Sequence, residues 1–373
     1  MTVYIGILTA SSVFSFCYSK SRDKSAQIVF IALCFLSLFV PAAVRYGIGI
    51  DYVNYALLFN KIAAGKEVPQ EVGFVFICKF LQFLHLPYHF LFVAFSFFTL
   101  FFVFVSVPKR YFYIGIPCYV LAVHFISYSA IRQELACAIF LFACKFFFDK
   151  KYILYLFWCI IAILNHTSAL LLAVLLPLFQ LLPLLSAKKY LALYIGAFMF
   201  FHITKNSLID FIMTKILAFT PYAKYALNAY ASHETEMGSG IGLFLKLFIL
   251  AVFLSLVLDS PISNKKKKFC IGFVFSMLTA REFSTVLYIF MRLVVVMGIV
   301  HVNLAVFSCQ SKNPLKKIWL AFVYMILFVL FIKDIFSSTI RPELSFSGKQ
   351  IYPYVSIFNW RDNPIILRRM SRF

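Results

Sequence analysis

The amino-acid sequence predicts an all-α, polytopic membrane protein of about twelve transmembrane helices, folded as one membrane domain over residues 1–373. Three observations predict it. Of the 373 residues, 63% are hydrophobic and 13% charged, whereas an ordinary soluble domain carries about 25% charged residues. The mean hydropathy is +0.91, and a water-soluble fold of this size has too little interior to hide so much apolar side chain. Apolar runs approaching the ~20 residues needed to cross a bilayer recur along the whole length. The 48 phenylalanines argue against a β-barrel, whose strands must alternate apolar and polar positions.

The runs fall at 2–19, 26–44, 88–107, 112–129, 133–148, 151–165, 168–186, 190–204, 240–258, 268–280, 283–309 and 318–333. The first has no basic residues before it and no Ala-x-Ala cleavage site. It reads as an uncleaved span with its N-terminus outside. Threading from there puts Lys20/Arg22/Lys24, Lys109/Arg110, Lys145/Lys150/Lys151, Lys188/Lys189, Lys265 to Lys268 and Lys312/Lys316/Lys317 on the cytoplasmic side. Each of these loops is short and basic, as the positive-inside rule expects. The piece 72–86 is apolar but short and carries Lys79, so it is expected to be re-entrant or interfacial. If it spanned, everything after it would invert and the basic clusters at 145–151 and 265–268 would face outward. Two external segments, 45–87 and 205–239, and a tail, 334–373, complete the chain. The tail breaks the pattern, because it is external yet carries Arg361, Arg368, Arg369 and Arg372.

The net charge of +21 therefore reads mainly as a topology signal. No basic helix, RNA-binding strand or zinc motif accompanies it, so nucleic acid is not expected as a partner. The nine cysteines lie almost all within or at the ends of apolar runs, with no Cys-x-x-Cys, and read as small buried hydrophobes. Walker A, Gly-x-Ser-x-Gly and His-Glu-x-x-His motifs are missing, which removes support for ATP-driven pumping, serine hydrolysis and zincin chemistry. His85 and His89 are four apart, but Pro87 separates them and no carboxylate motif follows, so no metal site is expected. His124, His202 and His301 are single residues in apolar runs and read as core.

Once threaded, the informative polar residues gather at external span ends. Arg45, Asp51, Tyr52 and Tyr55 follow the second run, with Glu71 further on; Arg132 and Gln133 end the fourth; His166 ends the sixth; Arg281 ends the tenth; Tyr352 and Tyr354 lie in the tail. A charge near hydrocarbon costs about 2.5–3.5 kcal/mol on insertion scales, so such residues tend to face a polar cavity and need partners. Guanidinium and imidazole groups converging on one side suit a phosphate or pyrophosphate, which arginine grips in bidentate fashion. Arg281, Tyr288 and Arg292 are spaced seven and four apart, so on one continuous helix they share a face, with Arg292 turned to the bundle interior. Plainer readings stand beside these. Asp51 can pair with Arg45, Arg132 can anchor at the lipid interface, His166 can be a satisfied interfacial histidine, and Arg292 can snorkel to the headgroups. The external tyrosines fit sugar stacking and an interfacial belt equally well.

Four short motifs in order carry a resemblance. Arg45-x-x-x-Gly49-x-Asp51-Tyr52-x-x-Tyr55, Glu71-x-Gly73-Phe74, Ile131-Arg132-Gln133-x-x-Ala136 and Asn165-His166-Thr167-Ser168-Ala169 resemble the EpsG family of membrane polysaccharide proteins, which is similar to the Wzy-type O-antigen polymerases. Tyr352-Pro353-Tyr354 resembles the family's late motif. The resemblance implies a GT-C-like helical glycosyltransferase of the bacterial inner membrane with its active site facing the periplasm. Its substrates would be undecaprenyl-pyrophosphate-linked glycan donor and acceptor, with no cofactor and no metal, and a chain-length regulator is a further expected partner. On this reading Asp51, or second His166, is the catalytic base. Arg132, Arg281 and Arg292 hold the pyrophosphate, and Arg45 and Glu71 orient the base or the incoming sugar. The rival class is a flippase for lipid-linked sugars, which needs a cavity open to both sides and commonly shows inverted repeats. No repeat is visible in the sequence.

Overall fold

The computed structural model describes residues 1–211, 215, 240–287, 289–340 and 349–371. Most of the expected external segment 205–239, including Tyr222, Tyr225 and Tyr230, and also Tyr288, lie outside the described residues. The described chain is helical, with isolated β-bridges and no strand. It divides into two compact units, Met1–Ala173 with Leu327–Phe373, and Val174–Ile326.

The first unit opens with α1 (Thr2–Lys20) and α2 (Lys24–Val44), an antiparallel pair. Asp23 ends the turn between them by accepting from the Ala26 N–H at 2.6 Å, which satisfies one of the free amides of the α2 N-terminus. Next come α3 (Tyr52–Ala63), α4 (Val72–Phe83), α5 (His89–Ser106), α6 (Phe112–Ala122), α7 (Ile131–Phe148), α8 (Tyr152–Asn165) and α9 (Ala169–Phe179). The second unit holds α10 (Ala187–Phe211), α11 (Ile241–Leu258), α12 (Asn264–Phe283), α13 (Ile289–Gly298) and α14 (Val300–Ser308). The boundary between the units falls within α9 and within α15 (Lys316–Phe336), and α16 (Pro364–Met370) ends the first unit.

Among the described residues five helices, α1, α2, α5, α11 and α15, are long and apolar enough to cross a membrane, and the bent pair α13–α14 makes a sixth if it counts as one span. The expected runs differ from the helices in instructive places. The run 283–309 is broken: α12 stops at Phe283, where the Ser284 and Thr285 hydroxyls donate to the Arg281 and Glu282 carbonyls (2.8 and 2.7 Å). A second break bends α13 against α14 by 49°. There the His301 ring bonds the Gly298 carbonyl at 2.8 Å, and glycine weakens the helix at the same point. The run 112–129 stops at Ala122 and gives way to a short 3-10 turn, His124–Ile126, with the Ser127 hydroxyl on the His124 carbonyl. The run 168–186 stops at Phe179, before Pro183. Helix α4 is 12 residues long, about 18 Å at the α-helical rise, in keeping with a piece that does not span.

The tail from residue 349 is knitted to the segment that follows α2. Tyr46 donates its N–H to the Val355 carbonyl (3.0 Å), Ile357 to Val44 (2.9 Å) and Gly49 to Gln350 (2.9 Å). The Ser129 hydroxyl donates to the Lys349 carbonyl at 2.9 Å and accepts from the Ile50 N–H at 3.1 Å. Three stretches distant in sequence therefore meet around Gly49. All nine cysteines are free, seven of them buried.

Candidate functional site

The site is built at the start of α4. Glu71 precedes that helix, and its carboxylate accepts from the Arg132 guanidinium in the first turn of α7. Its other oxygen accepts from the Thr167 N–H at 3.2 Å and, at 3.5 Å, from the Thr167 hydroxyl, between α8 and α9. The Arg132 guanidinium also lies over the rings of Phe74 (5.2 Å) and Tyr55 (5.8 Å). Burial by itself pushes the Glu71 carboxyl up. The backbone N–H groups of Glu71 and Thr167, the Arg132 charge and nearby His166 outweigh it and hold the carboxyl below the usual carboxylate value. His166 is half-buried, with Nδ1 2.7 Å from the Ser168 hydroxyl. Gly73 explains why these motifs meet. A Cβ on Gly73 would sit 2.6 Å from the Leu164 carbonyl oxygen and 3.2 Å from the Asn165 side chain, so only glycine lets α4 approach the end of α8.

Asp51 comes from a turn that two glycines shape. Gly47 and Gly49 have φ of 65° and 100°, and a Cβ on Gly49 would lie 2.0 Å from the Tyr128 carbonyl oxygen. Half-buried Asp51 stands at the N-terminus of α3 without capping it, and the Asn54 amide donates to its carboxylate at 3.3 Å. One turn along α3, Tyr55 is pushed up to about 12, first by burial and then by Asp51, with Arg132 opposing. Asp51, Tyr55, Arg132, Glu71 and the His166–Thr167 turn thus form one connected group in the first unit.

Two residues expected to touch substrate are sealed inside instead. Arg45 is 0% exposed, with its guanidinium between the rings of Phe92 (5.1 Å) and Tyr128 (4.7 Å). It donates to the Ala42 carbonyl and to the Ser96 hydroxyl, the latter at 3.2 Å, while Nε and Nη2 have no partner. Phe92 carries Tyr52 on a parallel stack, rings 4.1 Å apart. Tyr52 is likewise fully buried, its hydroxyl 3.3 Å from the His89 ring. No carboxylate pairs with Arg45 among the described residues. The aromatic stack supplies the stabilisation that pairing with Asp51 would have given, because a guanidinium is attracted to ring faces. Gln133 is half-buried, with an amide nitrogen that is buried and has no partner. Tyr354 and Tyr352 are half-buried; the Tyr354 hydroxyl donates to the Pro41 carbonyl at 2.9 Å, and the Tyr352 ring packs on Phe336 at 6.0 Å.

Arg281 and Arg292 belong to the second unit, on α12 and α13. The break at 284–287 removes the continuous helix on which a shared face depended, and Arg292 is exposed rather than turned into the interior. Tyr288, between them, is outside the described residues. The sequence reading also missed a charged group beside Arg281. Glu282 is fully buried, with one oxygen 3.2 Å from His202 Nδ1 and 3.9 Å from the Lys205 ammonium. His202, expected in the core, is 49% exposed, whereas His124 and His301 are buried as expected. Glu134, in the first turn of α7, is fully buried and neither carboxylate oxygen has a partner. The sequence signal for both acids was their place next to a span-end arginine, Glu282 after Arg281 and Glu134 two residues after Arg132.

Comparison with known proteins agrees with the four motifs. The chain matches the EpsG family over residues 28–356. No curated protein and no solved structure matches it. The matched stretch contains every residue of the Glu71–Arg132–Thr167 group and the Asp51 turn, and it ends before α16. With the match covering most of its length, the chain belongs to the EpsG family.

Proposed function

We propose that this protein is a Wzy-type polysaccharide polymerase of the bacterial inner membrane. It is read as one polymerase domain with about twelve membrane passages and a GT-C-like fold, joining undecaprenyl-pyrophosphate-linked repeat units on the periplasmic face into O-antigen or a similar glycan. The observation that carries this reading is the Glu71–Arg132–Thr167 junction, where three of the four family motifs meet beside the Asp51 turn. Charged groups that are held, partly buried and close to one another suit a reaction that develops negative charge on a leaving pyrophosphate.

In the proposed step the acceptor sugar hydroxyl attacks the anomeric carbon of the donor. The new carbon–oxygen bond forms as the bond to pyrophosphate breaks, and the electron pair leaves with undecaprenyl pyrophosphate. The hydroxyl proton passes to a base, with Asp51 the first choice and His166 the second. Arg132 binds the pyrophosphate. Glu71 orients Arg132 and the His166 turn. Gln133, Tyr55, Tyr352 and Tyr354 are assigned to the sugars, and buried Arg45 and Tyr52 shape the floor beneath Asp51 rather than touch the substrate. No cofactor or metal enters the step.

Deletion and complementation, with the lipid-linked glycan resolved on a gel, tests the reading. Loss of the chain should leave a single repeat unit on the lipid, and the wild-type gene should restore the ladder. Repeat units trapped in the cytoplasmic leaflet, with no surface glycan, would instead identify a flippase.

A further inference from the structure

We propose that Arg369, which lies beyond the stretch matched to the family, is the positioning residue for Asp51, fixing the turn that carries it. Arg369 is 2% exposed, and a guanidinium withdrawn from water must find hydrogen-bond partners. Its Nη2 donates to the carbonyls of Gly49 (2.6 Å) and Ile50 (3.1 Å), the two residues immediately before Asp51. Its Nη1 is buried and has no partner. Burial lowers Arg369 to about 10, and the Asp51 charge opposes that shift, so the two groups act on one another electrostatically.

The helix that delivers Arg369 is built to hold it there. The Asn363 side chain accepts from the Ile365 and Ile366 N–H groups, both at 3.1 Å, and so starts α16. Ile366 is fully buried against Gly47, where a Cβ would lie 2.9 Å from its side chain. Gly47 and Gly49 both have positive φ, and a turn with two glycines has the most backbone freedom to lose on folding. Such a turn places a reacting carboxylate accurately only when something outside it fixes its carbonyls. The arrangement also accounts for one of the external arginines that broke the positive-inside pattern. Arg369 is buried in a contact, whereas its neighbour Arg368 is exposed.

This inference rests on the reading of Asp51 as a group that acts on the reacting sugars. The test measures extension of lipid-linked repeat units by the full-length chain in membrane vesicles, at matched protein levels. Arg369→Gln should lower kcat about 100-fold with little change in KM, the scale expected when a catalytic group is misplaced by about 1 Å. Arg369→Lys should recover part of the loss by donating to the same carbonyls, and Arg368→Gln should match wild type. Added to Asp51→Asn, Arg369→Gln should cause no further loss, because it acts through the carboxylate already removed. Full activity in Arg369→Gln overturns the proposal, as does a loss that multiplies with that of Asp51→Asn. If wild type itself extends nothing, the polymerase reading falls and this one with it. If wild type extends chains, Asp51→Asn is impaired and Arg369→Gln is normal, the role of Arg369 alone falls.

Discussion

Glu71 concentrates the local chemistry of the site. Its carboxylate holds both Arg132 and the backbone of the His166–Thr167 turn, so its charge state links three helices. Because its carboxyl is held below the ordinary value, the stability it contributes is present at neutral pH and lost as pH falls through the carboxylate range. Glu71→Gln removes that ionisation. The melting temperature of wild type in detergent should therefore fall toward that of Glu71→Gln on acidification, and the gap between them should be widest near neutrality. A gap that does not change with pH would mean that the Glu71 charge contributes nothing to folding. The residue types of this site were legible in the sequence, but their partners were not. Arg45 and Asp51 are six residues apart and of opposite charge, which favours pairing on paper. In the fold Arg45 turns inward between two rings, because Phe92 and Tyr128 reach that position from other segments.

At the level of elements, the long apolar helices follow directly from the pattern, since a run with no charge and no competing hydrogen bond continues as a helix. The breaks depend on contacts that the pattern does not show. Ser284, Thr285, Ser127 and His301 each offer a side-chain bond to a nearby carbonyl, and such bonds compete with the helical ladder. Gly73 marks a close approach of elements, α4 against the end of α8. Gly73→Ala should force these elements apart, separating Glu71 from Thr167. It should cost more than the few tenths of a kcal/mol typical of a surface change, about 1–3 kcal/mol as overpacking does. Thermal unfolding in detergent measures the cost and glycan chain length measures the functional effect. Wild-type values for both would show that the backbone yields without consequence.

For the molecule as a whole, the charge pattern and the helix directions make a common prediction. Lys66, exposed between α3 and α4, and Lys151, exposed before α8, should lie on opposite sides of the bilayer. A cysteine at Lys66 should react with a membrane-impermeant maleimide in intact cells, and one at Lys151 only after the membrane is opened. The reverse labelling would invert the threading, and with it the side on which Asp51 and Glu71 work.

By itself the sequence determined that this chain belongs in a membrane, where its long apolar helices run, and that its short motifs resemble those of the EpsG family. These properties depend on composition and on residues near one another in the chain. The tertiary structure decided which of those residues face each other. It paired Arg132 with Glu71, buried Arg45 and Tyr52, broke the helix that would have aligned Arg281 with Arg292, and brought Arg369 from the tail to the Asp51 turn. Each outcome depends on groups tens to hundreds of residues apart finding a hydrogen-bond partner or a ring face away from water, a requirement that periodicity along the chain does not encode.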